Sequence, residues 1–197
     1  MSQYTRNILK VYDQATPEEI QAGIRWYDDA RKACQRIADT YGLSLDTVTG
    51  VVAALSPNNK WARNIKDAET LIQVYLAGKP VEDAVVCTYK AMRKKAWDIL
   101  TEELSDRPRL LAILNGQKIK TFAQCILGED TCVIDGHAYN IAHNKRVGLT
   151  DGSINIGVKM YRELQYRYGR AAKLRNLQPY EMQAITWTTW RRIHNIN

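Results

Sequence analysis

The chain has 197 residues, 45% of them apolar and 25% charged, which suits one medium domain or two small lobes and excludes wholesale disorder. Its formal net charge is +7, with a pI of about 9.2. That field favours a polyanionic partner, nucleic acid before an anionic membrane, although a soluble protein that is merely basic has the same balance.

In chain order, Met1 to Arg6 leads into no long apolar run, so a secretory leader is not expected. Thr16-Pro17-Glu18-Glu19 reads as a helix start, with Thr16 as N-cap, Pro17 at the first helical position and Glu19 closing a capping box. Ile20, Ile24, Tyr27, Cys34, Ile37 and Tyr41 follow at helical spacing, and Gly42 ends the helix. Ser44 or Asp46 opens a shorter helix through Leu55, which Ser56-Pro57-Asn58-Asn59 breaks. Its apolar run, Val51 to Leu55, is far too short to span a bilayer.

A third helix carries Trp61, Ile65, Ala68, Leu71, Ile72 and Tyr75, closed by Gly78-Lys79-Pro80. Val81 to Val86 is open between helical turn and strand. From Tyr89 to Leu104 a basic helix is expected, with Lys90, Arg93, Lys94 and Lys95 near its start. Cations there oppose the helix dipole, which suggests a phosphate partner; a solvated charged face is the other reading. Pro108 to Leu114 and Ile119 to Leu127 are short helices around Asn115-Gly116. Cys132-Val133-Ile134 is extended, His137 to Lys145 is helical, and the last two helices run over residues 154–174 and 179–194. In the last, Trp187, Trp190, Arg191 and Arg192 fit either a stacking, cationic surface or a helix packed into a core.

The expected fold is therefore all-α, a single domain over 1–197 of two helical lobes, about 30–107 and 1–29 plus 108–197, with a hairpin at 108–127. Cys34, Cys87, Cys125 and Cys132 show neither zinc-ribbon nor thioredoxin spacing, and the histidines have no partners at metal spacing, so no metal site is expected. Free thiols imply a reducing, cytoplasmic setting. No membrane association and no obligate protein partner is expected.

The chemically informative stretch is Leu114-Asn115-Gly116-Gln117-Lys118-Ile119-Lys120-Thr121, helix, tight turn on Gly116, helix. Free N–H groups at the second helix start can hold a phosphate, and Lys118 and Lys120 add charge. Fifteen residues after Lys120, Ile134-Asp135-Gly136-His137 puts a carboxylate just before another helix start. From spacing alone, Asp135 is an N-cap.

These stretches resemble the hairpin and catalytic segment of the endonuclease III-like, helix-hairpin-helix DNA glycosylases, whose pattern is roughly Leu-Pro-Gly-x-Gly-x-Lys-Thr-Ala followed by Val-Asp-Thr-His. The resemblance continues to Arg146-Val147-Gly148-Leu149 and, upstream, to Val51-Val52-Ala53-Ala54-Leu55-Ser56-Pro57-Asn58 and Tyr89 to Ala96, covering residues from about 45 to 150. It implies a two-lobed glycosylase fold acting on double-stranded DNA. Asp135 falls on the catalytic carboxylate, Lys120 on the Schiff-base lysine and Asn58 on the residue that fills the gap left by a flipped base, with a turn-former as the other reading of Asn58. The resemblance also implies DNA contacts at Asn59, Gly116, Gln117, Lys118, Thr121 and His137, with His137 ordering its loop. Lys118 is the substitute for Lys120, and a phosphate-contacting or solvated lysine is the alternative role for both. Three positions depart from the pattern: Asn115 replaces its proline, Lys118 its second glycine and Gly136 its threonine. No cysteine follows Cys132, so no iron–sulfur cluster and no other cofactor is expected.

Base excision fits this set physically: a nucleotide must leave the stack, and a carboxylate stabilises the positive charge that grows on the sugar. The expected activity is that of a DNA glycosylase, with a lyase step where a lysine attacks the sugar. The alternatives are a related enzyme of DNA base hypermodification and a non-catalytic DNA-binding module.

Overall fold

The computed structural model describes residues 1–102, 104, 106–148, 152 and 154–196. Leu149, the last residue of the extended resemblance, lies outside them. All regular structure among the described residues is helical, ten α-helices and one 3-10 turn, with no strand. No helix there is long and apolar enough to cross a membrane.

The helices are α1 (Gln3–Tyr12), α2 (Pro17–Tyr41), α3 (Leu45–Leu55), α4 (Trp61–Leu76), α5 (Lys90–Thr101), α6 (Arg107–Leu114), α7 (Gln117–Ile126), α8 (Gly136–His143), α9 (Val158–Lys173) and α10 (Pro179–Ile193), with the 3-10 turn at Val81–Asp83. Nine were expected within a few residues. The first was not: α1 opens on Ser2, whose Oγ accepts the Thr5 N–H, and it buries Ile8, Leu9 and Val11. The open segment 81–86 holds the 3-10 turn.

The chain divides into two compact units, residues 1–28 with 128–197, and residues 29–127. The α6–α7 pair belongs to the second.

In the 29–127 unit, α3 is the central element. Val48 and Val51 to Leu55 are wholly buried, as expected of a helix apolar on every side, with α4, α5, α6 and α7 packed around it. Gly50 is where α6 comes closest; a Cβ there would overlap the Leu110 side chain. Arg107 at the start of α6 pairs with Asp46 at 2.8 Å. Cys34 on α2 is a core residue, and burial pushes its thiol up to about 11.

In the other unit, α1, α8, α9 and α10 enclose Ile8, Ile134, Ile141, Leu164, Tyr168, Met182 and Trp190. Asn7 donates to the Ala142 carbonyl at 2.7 Å inside this core. Glu19 closes the α2 capping box by accepting the Thr16 N–H at 2.9 Å, and also binds Arg192 Nε at 2.7 Å, so the start of α2 is tied to α10.

Candidate functional site

Helix starts in this protein are finished in two ways. Side chains close α1 (Ser2), α2 (Thr16 and Glu19), α3 (Ser44), α6 (Asp106), α8 (Asp135) and α10 (Gln178 and Glu181). By contrast α4, α5 and α7, and α9 in the other unit, have no side-chain cap and no acidic residue in the first turn. Each carries a lysine instead: Lys60 at the N-cap of α4, Lys90 first in α5, Lys118 second in α7 and Lys159 second in α9. All four lysines are exposed. Each start therefore presents unsatisfied N–H groups and a cation, an arrangement that opposes the dipole and suits an anion.

Side-chain contacts in the 29–127 unit join the loops before α4 and α5 and tie α4 and α5 to the α6–α7 pair. Asn58, just before α4, donates through Nδ2 to the hydroxyl of Tyr89, the N-cap of α5. Thr88 Oγ1 donates to the Pro57 carbonyl at 3.1 Å. Lys95 of α5 donates to the Leu114 carbonyl at 3.1 Å, tying α5 to the end of α6. Trp61, first in α4, meets Phe122 of α7 edge-on, with centroids 6.5 Å apart.

Beneath them lies Asp67, its side chain only 2% exposed. Its carboxylate accepts Arg63 Nε at 2.6 Å, Asn59 Nδ2 at 2.9 Å and the Cys87 N–H at 2.7 Å. One buried acid thus holds the loop before α4 and the loop before α5 together. It balances a single cation, so it organises the basic surface without neutralising it.

The turn between α6 and α7 differs from the sequence expectation in which residue bends. Asn115 is left-handed, φ 57°, and Gly116 is extended, φ −101°. A Cβ on Gly116 would meet Ile119 at an ordinary 3.5 Å. Asparagine tolerates the left-handed region, so the turn does not need the glycine's freedom. Gln117 and Lys118 are exposed, Lys120 is half-buried, and Lys118 and Lys120 leave opposite sides of α7 because two helical positions differ by about 200°. Thr121 is 1% exposed, and its hydroxyl donates to the Gln117 carbonyl at 2.9 Å. Asn58 is exposed at the tip of its loop, left-handed at φ 55°; Asn59 is half-buried and held by Asp67.

Of the cations expected near the start of α5, Arg93 donates to the Ala84 carbonyl, Lys94 pairs with Asp98, and Lys95 binds Leu114. Three of the four are engaged within the fold, and Lys90 faces solvent.

Asp135 and His137 belong to the 1–28/128–197 unit. Asp135 Oδ1 accepts the Ala138 N–H at 2.8 Å, the capping geometry, and the side chain is half-buried. His137 is buried, its ring edge-on to Trp187 with centroids 6.0 Å apart. The Arg191 guanidinium lies 4.4 Å above the Trp187 ring, whereas Trp190 is a core residue. Thus Asn58, Asn59, Gly116, Gln117, Lys118, Lys120 and Thr121 share one unit, and Asp135 and His137 the other. Among the described residues no cluster of three or more His, Cys, Asp or Glu is gathered to hold a metal.

Sequence reasoning missed Lys60, Asp67 and Tyr89 as site residues. Lys60 had a readable signal: a lysine immediately before an apolar-periodic helix, where Ser, Thr, Asp or Asn is the usual choice.

One family matches, over residues 1–194, and it is described as a Family of unknown function (DUF7178). The chain belongs to that family. No curated protein and no solved structure matches it. The match corrects the sequence-based assignment to the endonuclease III-like glycosylases: a DUF7178 family match covers almost the whole chain, and no glycosylase family matches it. The motif departures at Asn115, Lys118 and Gly136 agree with that correction. In this DUF7178 protein the turn is built on Asn115 rather than on glycine.

Proposed function

We propose that this protein grips the phosphate backbone of double-stranded DNA with its 29–127 unit and excises a modified or mismatched base. The observation that carries the reading is the set of open, lysine-bearing helix starts at Lys60, Lys90 and Lys118 in one unit, the first two joined by Asn58–Tyr89, with α4 packed on α7 through Trp61–Phe122. Three such starts in one unit fit successive phosphates of a strand better than a single small anion. In this reading α6 and α7 work as a helix-hairpin-helix clamp.

The chemistry falls to Asp135. Its Oδ1 caps α8, and Oδ2 is left to stabilise positive charge on the sugar while water attacks C1′ and the base departs with the bonding electron pair. Lys120 supplies a lyase step if its neutral amine replaces water as the nucleophile.

Two measurements test the reading. Binding of the full chain to duplex DNA should weaken steeply as salt rises, because phosphate contacts release counterions; salt-insensitive binding counts against DNA as the partner. Duplexes carrying uracil, thymine glycol, oxidised guanine, alkylated purines or hypermodified pyrimidines should yield an abasic site from at least one, and Asp135→Asn should abolish it. Asparagine caps a helix as well as aspartate, so lost activity in that variant is not lost folding. Borohydride trapping that survives Lys120→Ala removes Lys120 from the nucleophile role. A product with an intact glycosidic bond assigns the protein to base modification instead.

A second reading, a non-catalytic DNA-binding module, is favoured by the commitment of Asp135 Oδ1 to the α8 cap. There Asp135→Asn leaves every measurable function unchanged.

A further inference from the structure

Tyr89 is an exposed aromatic ring held in place. It is 59% exposed, among the few large apolar side chains left in water. It sits at the N-cap of α5 without capping it, directly before Lys90. An exposed ring normally wanders among its rotamers. Here the Tyr89 hydroxyl accepts a hydrogen bond from Asn58, a residue 31 positions away whose own backbone is fixed in the left-handed region. Thr88 Oγ1 to the Pro57 carbonyl staples the same two loops at 3.1 Å, and Asp67 anchors both from below through Asn59 and the Cys87 N–H. Several side-chain bonds between distant segments thus orient one ring that the core does not use. Next to Tyr89 in the chain is the open start of α5 with Lys90, and its partner Asn58 stands two residues before Lys60 at the open start of α4.

We infer that Tyr89 is a base-stacking residue, and that this surface prefers DNA presenting an unstacked base, at a gap or in a single strand, over an intact duplex. The inference rests on the DNA-binding reading above. Its physical content is simple. A phosphate track flanking a pre-oriented π-face is the arrangement with which proteins hold unpaired nucleotides, because every base offers a face to stack and the strand supplies the charge. Orientation before binding removes the ordering cost that a free side chain would incur. An intact duplex offers phosphates but no free base face, so Tyr89 adds nothing there.

The test uses the full-length protein at one fixed salt concentration and three DNAs of the same sequence: an intact duplex, a duplex with one tetrahydrofuran abasic analogue flanked by 2-aminopurine, and the single strand. The wild type should bind the abasic duplex and the single strand more tightly than the intact duplex, and should change the 2-aminopurine fluorescence. Tyr89→Ala should lose about 5- to 100-fold on those two DNAs, the range of one base–aromatic stack, and under about twofold on the intact duplex. Tyr89→Phe and Tyr89→Trp keep a stacking ring but lose the hydroxyl that accepts from Asn58, so both should keep the preference and the fluorescence change with only the smaller loss of an untethered ring. Asn58→Gly removes the tether while keeping the left-handed turn, and should show a smaller loss confined to the same two DNAs. Thermal melts check that each variant folds. Equal losses on all three DNAs, or a Tyr89→Ala protein that still discriminates and still perturbs 2-aminopurine, overturns the inference while DNA binding stands. A wild type that binds none of the three overturns the DNA-binding reading itself, and the inference with it.

Discussion

The two units finish their helix starts in contrasting ways. In residues 1–28 and 128–197, four of the five helices that begin there are closed by their own side chains; α9, opening on Gly157 with exposed Lys159 second, is the exception. In residues 29–127, α3 and α6 are closed by Ser44 and Asp106, whereas α4, α5 and α7 stay open and basic. The 29–127 unit has good caps at α3 and α6 and forgoes them at three of its five starts, against one of five in the other unit. A cap is worth about 1 kcal/mol, and a lysine in the first turn costs a few tenths more. Stability forgone at three starts of one unit, with cations in its stead, is what the proposed anion-binding role would require. Capped starts should therefore respond to mutation in stability, and open starts in binding.

The largest effect should come from the open starts. Replacing Lys60, Lys90 and Lys118 together by alanine should weaken DNA binding about a thousandfold near 0.1 M salt, roughly tenfold per phosphate contact, and flatten the salt dependence by about three units. Alanine removes a cation opposed to each dipole, so the melting temperature should hold or rise slightly. Titrations across salt, beside a thermal melt, separate the two responses. Unchanged affinity with a lower melting temperature would break the comparison outright.

The closed starts should show the converse, and Glu19 is the sharpest case. The Arg192 guanidinium, together with the Thr16 N–H and the Thr189 hydroxyl, holds its carboxyl below the usual carboxylate range, against the opposing effect of burial. Stability from this group is therefore fully present above the unfolded value of about 4.3 and drains away as pH falls through the lower folded value. Glu19→Gln keeps the capping-box hydrogen bond and loses the charge pairing, so it should cost about 2 kcal/mol at neutral pH. It should also flatten the loss of stability from roughly pH 5 downward. Denaturant melts at several pH values measure both, and DNA affinity at neutral pH should not move. An acid limb as steep as in the wild type would show that Glu19 carries none of it.

Much of this contrast could be read from the chain, and the misreadings have physical causes. The start of α2 was legible because Thr16, Pro17 and Glu19 spell a cap with their own chemistry. Helix α1 was not: Gln3 to Tyr12 has only three aliphatic anchors, Ile8, Leu9 and Val11, all within about one turn, and its stability comes from contacts with α8, α9 and α10. At Asn115-Gly116 a tight turn was legible but the strained residue was not, because asparagine and glycine both tolerate positive φ. Around α5, four cations were legible as a basic cluster; Lys94–Asp98 has i,i+4 spacing within one helix, but Arg93 and Lys95 find the Ala84 and Leu114 carbonyls only in three dimensions. Asp67 and Tyr89 were invisible as site residues for the same reason, since apart from Arg63, four residues from Asp67, their partners are 8 to 31 residues away and on other segments.

The smallest expected change in stability is at Gly116, and it is also the most discriminating. Gly116 has an extended backbone and room for a Cβ at 3.5 Å from Ile119, so alanine fits without strain. Alanine is a poorer N-cap than glycine but loses less chain entropy on folding, and the two effects, each below about 1 kcal/mol, oppose one another. The melting temperature should barely shift. If the glycine is there only for the turn, DNA binding should be equally unaffected, because the left-handed residue is Asn115. If the phosphate backbone approaches the α7 start, the added methyl occupies the approach and affinity should fall several-fold at constant stability. Asn115→Ala supplies the contrast, with strain in the left-handed turn and a stability loss of about 1 kcal/mol. A Gly116→Ala protein that binds DNA as tightly as the wild type would remove α7 from the trio and leave the starts of α4 and α5 to carry the interface.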